Sequence, residues 1–416
     1  MALPSDILRQ KLLRAGAGAV GFAALREVAP EVMEEYTAWL SRGNHGSMEY
    51  LANHTAIRRN PALLLDGDQD PRPGGTVICA AFPYTQGDHY RPGRLRIARY
   101  ALGDDYHEVL RHRLMPVARW ITAETGKEAR VCVDTAPILE RHWAVEAGLG
   151  FIGLNRQLII PGHGSCFFLA EIVTRAEFTP DIPCRLHCGG CRACVKACPG
   201  HALDGDDFDC RRCHSYLTIE HRGELPAGFH PRRGALYGCD ICIEVCPHNH
   251  PARPIDPLPE FTPRPALLDL TAADILSLIP ETYASLLRHS AIKRVKLAGL
   301  MRNIRHLISQ DRLTDSTVSI IKKNILDFIL NGIGLQFLCL GDIDVSKLHI
   351  PVASKTAIGH TTDVYIHLLL GIIAIDHVVA RLSGEILEES ACSHIEIVAD
   401  LVEVAYHAGL CFFKFH

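Results

Sequence analysis

Apolar residues recur at Val109, Leu110, Leu114, Val117, Trp120 and Ile121, the three- and four-residue spacing that lays one stripe along a helix. Short apolar runs at residues 76–81 and 129–133 flank that stretch and suit buried strands; residues 157–160 and 166–173 are two more. Strands alternating with helical stretches predict an α/β domain over residues 1–178. Periodicity then fades: residues 179–253 are short-patterned, cysteine-dense and punctuated by Gly and Pro. A proline-rich connector follows, with Pro251, Pro254, Pro257, Pro259, Pro263 and Pro265, and helical patterning returns from Leu267 to about His306, within a helical segment expected over residues 254–306. The remainder changes character again. Residues 306–416 hold one of the 24 prolines and two arginines but sixteen isoleucines. A separate, mostly helical C-terminal module over residues 307–416 is expected, and the sequence states no role for it.

Composition narrows the class. The chain has 416 residues, 48% apolar and 22% charged, a balance that excludes a wholly disordered protein. With a net charge of −4, a nucleic-acid partner must be met by a local basic patch and not by the global field. The N-terminus lacks a basic stretch followed by an apolar core, so no export signal is expected. The longest apolar attempt, residues 364–375, is broken by His367 and ended by Asp376, too short for a membrane span.

Cysteine changes the picture most. Ten of sixteen cysteines fall between Cys184 and Cys246, which reads as metal ligation and not as a disulfide scaffold. Cys188, Cys191, Cys194 and Cys198 before Pro199 have the spacing of a bacterial ferredoxin run. A second run, Cys239, Cys242 and Cys246 before Pro247, supplies three cysteines where four are needed. Cys213 furnishes the eighth, with Cys210 as a lower-ranked competitor. In two-cluster ferredoxins the last cysteine of each run ligates the other cluster. The expected sets are therefore Cys188, Cys191, Cys194 and Cys246 for one [4Fe–4S] cluster, and Cys198, Cys213, Cys239 and Cys242 for the other. Two zinc sites are the alternative, since four thiolates also suit Zn²⁺; the third cysteine at the same spacing and the Cys-Pro ends argue against it. Cys184 with Cys188 and Cys191 spells a radical S-adenosylmethionine pattern, but using it would strand Cys194 and Cys198.

At the end of a predicted strand stands Val133-Asp-Thr-Ala-Pro137. Asp134 or Thr135 can cap a helix there with Pro137 in its first turn; Asp134 can equally be a carboxyl at a ligand-binding sheet edge. That motif is followed by Gly148–Gly153, Phe167-Phe-Leu169 with Glu171-Ile172, and the ferredoxin run. Ser215-Tyr-Leu-Thr-Ile-Glu-His-Arg-Gly223, Tyr237-Gly-Cys-Asp240 and the segment 296–303 complete the order. Over about residues 5–306 this series closely resembles the epoxyqueuosine reductase family. The resemblance implies an α/β cobalamin-binding domain joined to a two-cluster ferredoxin-like domain. The family is cytoplasmic, and it reductively removes the epoxide oxygen of epoxyqueuosine in tRNA, the last step of queuosine synthesis.

The resemblance also implies residue roles. Asp134 matches the proton donor. Arg58, Ser215, Cys239 and Asp240 match cobalamin contacts. Tyr100 and His107 lie in a segment placed near the cofactor, and Asn155 closes the Gly150–Asn155 segment beside it. Arg222 matches a tRNA contact, with Arg211, Arg212, Arg232 and Arg233 as further cations nearby. One departure stands out: Leu154 replaces the usual lysine. No Asp-x-His-x-x-Gly pattern supplies a histidine below cobalt. Expected partners are tRNA carrying epoxyqueuosine in its anticodon loop and an external low-potential electron donor; a monomer without membrane attachment is expected. For Asp134 to act as an acid near neutral pH, burial would have to raise its pKa. Two competing readings are a reductive dehalogenase-like enzyme and a ferredoxin-type electron carrier.

Overall fold

The central layer is a four-stranded sheet, and its order is not that of the chain. In the computed structural model the described residues are 5–65, 74–84, 87–203, 207–232, 234–250 and 255–310. The C-terminal module expected over residues 307–416, apart from its first four residues, lies outside them, as do Arg233, Pro251 and Pro254. The first part of the chain runs α1 (Ser5–Arg14), β1 (Ala19–Ala24), α2 (Pro30–Ser41), α3 (Thr55–Arg59), β2 (Thr76–Pro83), β3 (Arg96–Ile97) and α4 (Tyr106–Thr125). It continues through β4 (Ala129–Cys132), α5 (Glu140–Glu146), β5 (Phe151–Ile152), β6 (Leu158–Ile159) and β7 (Phe167–Thr174). The main sheet has the order β1-β2-β7-β4.

All three ladders of that sheet are antiparallel. Helices and strands do alternate, as the pattern predicted, but the connections do not wind a parallel sheet. The two faces bury separate layers because side chains alternate along a strand. Ile78, Ala80, Phe82, Phe168 and Ile172 pack under α1 and α4. Val77, Cys79, Ala81, Cys132 and Val173 pack under Trp143 and Ala144 of α5. β1 escaped the sequence reading because Ala, Gly and Phe alternate too weakly to mark a strand. Its Gly21 is required: a Cβ there would stand 2.0 Å from the Ala147 carbonyl oxygen.

The helix expected at residues 106–125 is present with those bounds. Asp105 caps it, accepting the His107 N–H at 3.1 Å, and Gly126 ends it in the left-handed region at φ 65°. The cap expected from Asp134 or Thr135 is not formed. Asp134 adopts φ 52°, and the helix begins only at Glu140 with Leu139 as its N-cap. The Glu140 carboxylate reaches back instead and accepts the Asp134 N–H at 2.6 Å.

The second part continues with α6 (Ala193–Ala197), α7 (His214–Ile219), β8 (Ala235–Tyr237) and α8 (Ile241–Glu244). Short helices α9 (Pro265–Leu268), α10 (Ala272–Leu276) and α11 (Pro280–Leu286) lead to α12 (Lys296–Ser309). β8 pairs with β3 in parallel, which locks the cysteine-rich part onto the first. α12 does the same from the far side. Asn303, 2% exposed, donates to the Thr218 and Leu236 carbonyls at 2.8 and 2.9 Å. Arg302 donates to the Leu217, His221 and Gly223 carbonyls. Asn303→Ala is expected to cost about 1–3 kcal/mol, because two buried carbonyls lose their donor. Denaturant unfolding of the cluster-loaded protein measures it.

Candidate active site

The ten clustered cysteines separate into groups by mutual influence. Burial raises the thiol pKa of Cys242 well above its usual value, and the charges of Cys239, Cys213 and Cys198 add to it. Burial carries Cys239 up to about 12, with Cys213 and Cys198 contributing. Cys213 in turn feels Cys198. The other group is Cys246, which feels Cys188 and Cys191, and Cys194, which feels Cys188 and Cys246. Each of these influences runs within one of the two proposed sets of four, and Cys210 also feels Cys213. The crossing is physical: Cys194 and Cys198 sit on and just after α6, Cys242 and Cys246 on and just after α8, and the two helices pack together.

Cys213 and Cys210 part company. Cys213 caps α7 and receives the backbone N–H groups of Ser215 and Tyr216 on its sulfur. Cys210 is 5% exposed and buried in an apolar cluster with Tyr216, Leu217 and Phe229. Cys184 donates its N–H to the Val145 carbonyl and packs on Phe151 and Ile159. Among the described residues, no group of three or more His, Cys, Asp or Glu side chains closes to the distance of a single metal ion.

The proposed proton donor stands on the other side of the α7 region. Asp134 Oδ2 lies 3.0 Å from His107 Nε2, and His107 Nδ1 lies 2.7 Å from Asp105 Oδ1. Lys293 adds its charge 3.8 Å from the other Asp105 oxygen. Tyr106, stacked on Phe168 at 4.4 Å between centroids, hydrogen-bonds to Asp134. Asp134 is 55% exposed although His107, Tyr106, Glu140 and Arg141 surround it. Tyr50 and Arg141 face the same carboxylate from other segments. Arg141 also faces Cys210, on the segment that carries Cys213 and Ser215.

Titration here differs from the sequence expectation. Burial alone would raise the Asp134 pKa, but the hydrogen bond and charge of His107 outweigh it and hold the carboxyl below its usual value. Burial alone would lower His107, and the bonds to Asp105 and Asp134 carry it instead up to about 9. At neutral pH the proton therefore rests on the imidazole, between two carboxylates. Sequence reading missed Asp105 as a partner because only the tertiary turn brings both ring nitrogens into use.

A second acid lies beneath. Burial and the negative charge of Asp134 push Glu140 up to about 8. Glu171, with 0% exposure, faces Cys79 and Cys132 across the sheet. Burial, with Glu140 and Asp134, drives it well above the carboxylate range. Neither of its oxygens has a hydrogen-bond partner among the described residues.

The remaining expected residues take varied positions. Tyr100 shares a hydroxyl–hydroxyl bond of 3.0 Å with Tyr237. Asp240 accepts the Arg99 N–H at 2.8 Å and pairs with the Arg99 guanidinium. Asn155 is buried and reaches the Cys242 carbonyl at 3.4 Å. Arg58 is 7% exposed and donates to the Tyr50 and Asn53 carbonyls, holding the loop that carries Tyr50. Leu154 packs beside Cys194, Cys198 and Cys242, and its N–H reaches Cys188 Sγ at 3.4 Å.

Several cations expected near tRNA are engaged within the protein. Arg211 chelates Asp209, Arg212 donates to the Gly200 carbonyl, and Arg232 pairs with Glu244. Arg222 bonds to the Ile219, His221 and Arg294 carbonyls, while Glu220 belongs to Arg294.

An iron–sulfur oxidoreductase is the class to which the α/β layer and the cysteine-rich part together point. Residues 187–249 match the family described as a 4Fe-4S double cluster binding domain, and residues 58–135 match epoxyqueuosine reductase QueG, DUF1730. The epoxyqueuosine reductase of Cellulophaga algicola is 35% identical over 309 residues, covering 73% of this chain and 97% of that protein. That of Pseudomonas aeruginosa is 37% identical over 276 residues, covering 64% of this chain and 74% of that one. A solved epoxyqueuosine reductase with an epoxyqueuosine-modified tRNA-Tyr stem loop matches at TM-score 0.67 and 25% identity, over 77% of this chain and 84% of that chain. The chain belongs to the epoxyqueuosine reductase family.

Proposed function

We propose that this protein reduces the epoxide of epoxyqueuosine in tRNA to the alkene of queuosine, the last step of queuosine biosynthesis. The observation that carries the reading is the Asp105–His107–Asp134 chain, ending on an exposed carboxylate, in one fold with two proposed four-cysteine sets. A ferredoxin-type carrier has no use for such a chain. The overall change takes two electrons and two protons and releases one water.

The cysteine sets fit two [4Fe–4S] clusters, as argued above. Cobalamin would be held by Arg58, Tyr100, Asn155, Ser215, Cys239 and Asp240, of which Cys239 and Asp240 line a cavity with Arg99, His214 and Tyr237. When bound, it supplies low-potential electrons to carbon, while the protein supplies orientation and acid. His107 holds one proton at Nε2, on Asp134 Oδ2. Asp134 passes it to the oxygen of the opening ring, and His107 is reprotonated from solvent. Glu140, neutral over much of its range, stands next to Asp134 as a second proton holder. Arg222 remains the proposed tRNA contact, since its guanidinium has donors beyond those given to the three carbonyls. A cytoplasmic monomer served by an external electron donor completes the reading, with the cluster part at 179–253 as its electron-transfer domain.

The test uses protein reconstituted anaerobically with iron, sulfide and cobalamin, dithionite as reductant, and an anticodon stem loop carrying epoxyqueuosine. Mass spectrometry of the nucleoside should show loss of one oxygen. An unchanged epoxide with fully loaded protein would refute the reading. Its pH profile adds a separate expectation. A raised histidine pKa means that the folded pair is fully formed below about 6.5 and is lost as pH rises through about 9. Turnover should therefore fall on the alkaline side near pH 9. Asp105→Asn should move that limb to lower pH, because one of the two carboxylates holding the proton is gone.

A further inference from the structure

We infer that the exposed face around Cys191, carrying Ile182, Arg185, Leu186, Arg192 and Lys196, is the docking surface for an acidic one-electron carrier protein. The inference rests on the reading above only in taking the two cysteine sets to hold clusters. Each encounter would pass one electron from the reduced carrier to the cluster held by Cys188, Cys191, Cys194 and Cys246. Two encounters supply the pair consumed per epoxide, and the carrier leaves oxidised by one electron each time.

Exposure singles out this face. Of the eight proposed ligands only Cys191 is exposed; Cys194 and Cys246 are buried, and the other five are intermediate. Beside Cys191 the chain is bare: a Cβ on Gly189 or Gly190 would meet no atom within 4 Å. A partner can approach the cluster closely there. The other set has no exposed member and includes Cys213, on the segment whose Cys210 faces Arg141 beside Asp134, so electrons enter at one set and leave from the other.

The chemistry of the face matches a protein and not a phosphate backbone. Ile182 is 88% exposed and Leu186 59%, with Val245, next to Cys246, at 38%. Interface cores are apolar with a charged rim. The rim is cationic: residues 182–200 contain Arg185, Arg192 and Lys196 and no Asp or Glu. Among the described residues none of the three has a carboxylate partner in an ion pair. In a chain of net charge −4 this is a local reversal of sign, and an acidic carrier would be steered to it.

A small acidic flavodoxin serves as the probe, with the cluster-loaded holoprotein. Two variants separate charge from contact: Arg185→Glu with Lys196→Glu, and Ile182→Ser with Leu186→Ser. Each pair should weaken flavodoxin binding about tenfold or more and slow cluster reduction by flavodoxin hydroquinone in proportion. For the charge pair the difference should shrink as salt is raised, since exposed charges are screened. Reduction by dithionite, the electron paramagnetic resonance of the reduced clusters and stem-loop affinity should stay within about twofold of wild type.

Unchanged flavodoxin binding and reduction rate in both variants would overturn the proposal. So would a loss of stem-loop affinity with flavodoxin reduction intact, which would make this a nucleic-acid face. If the charge pair loses iron, the Ile182→Ser/Leu186→Ser pair still answers, because neither side chain belongs to a ligand. Dithionite-driven turnover of the epoxide does not involve this face, so failure of the proposed activity and failure of the docking site give different results.

Discussion

Asp134→Asn is expected to turn over about 10²- to 10⁴-fold more slowly, the range that a positioned acid contributes, while keeping both clusters and cobalamin. Asn tolerates the left-handed backbone of φ 52° at this position, so the loop should survive. It can still accept a hydrogen bond from His107, but it carries no charge. The His107 pKa should then fall from about 9, and an NMR titration of its ring reads that change apart from turnover. A residue that only held the loop in shape would leave the titration alone. Near-normal turnover with a normal histidine pKa would remove Asp134 from the chemistry.

Cys213→Ser should lose the second cluster, so that iron drops from about eight to about four per chain, and epoxide turnover should cease. Cys210→Ser should keep about eight irons, because Cys210 is buried with Tyr216, Leu217 and Phe229, and Cys213 is the thiol that faces Cys198, Cys239 and Cys242. Iron analysis and electron paramagnetic resonance of anaerobic preparations distinguish the two variants. The reverse pattern would exchange their roles. Zinc in place of iron in wild type would end the electron-transfer reading altogether.

Several parts of this outcome were visible along the chain and several were not. The double-cluster domain was legible because a cubane fixes cysteine spacing within a run, and Cys-Pro marks where each run turns back. Helix Tyr106–Thr125 was legible because its apolar stripe and the Asp105 cap are local signals. Val133–Pro137 misled in one respect: its residue types suit a helix start, yet Asp134 turns left-handed and Glu140, six residues on, takes the N–H that a cap would have satisfied. The sheet direction was hidden as well, since a buried antiparallel strand and a buried parallel one share the same apolar run.

The protonation state of the site also depended on contacts between distant segments. An acid role near neutral pH called for an Asp134 carboxyl raised by burial. The fold instead places His107 between Asp134 and Asp105 and moves the proton to the ring.

Spacing by itself determined the double-cluster motif, which family the chain resembles and where its strongest helix runs, because those properties are set by neighbours within a few residues. Tertiary structure alone decided that Cys213 faces Cys198, Cys239 and Cys242, and that Arg211, Arg212 and Arg232 spend charge or donors inside the protein. It alone buried Glu171 without a partner beneath Glu140. Each of these turns on desolvation and on the meeting of side chains far apart in sequence, and no local pattern encodes either.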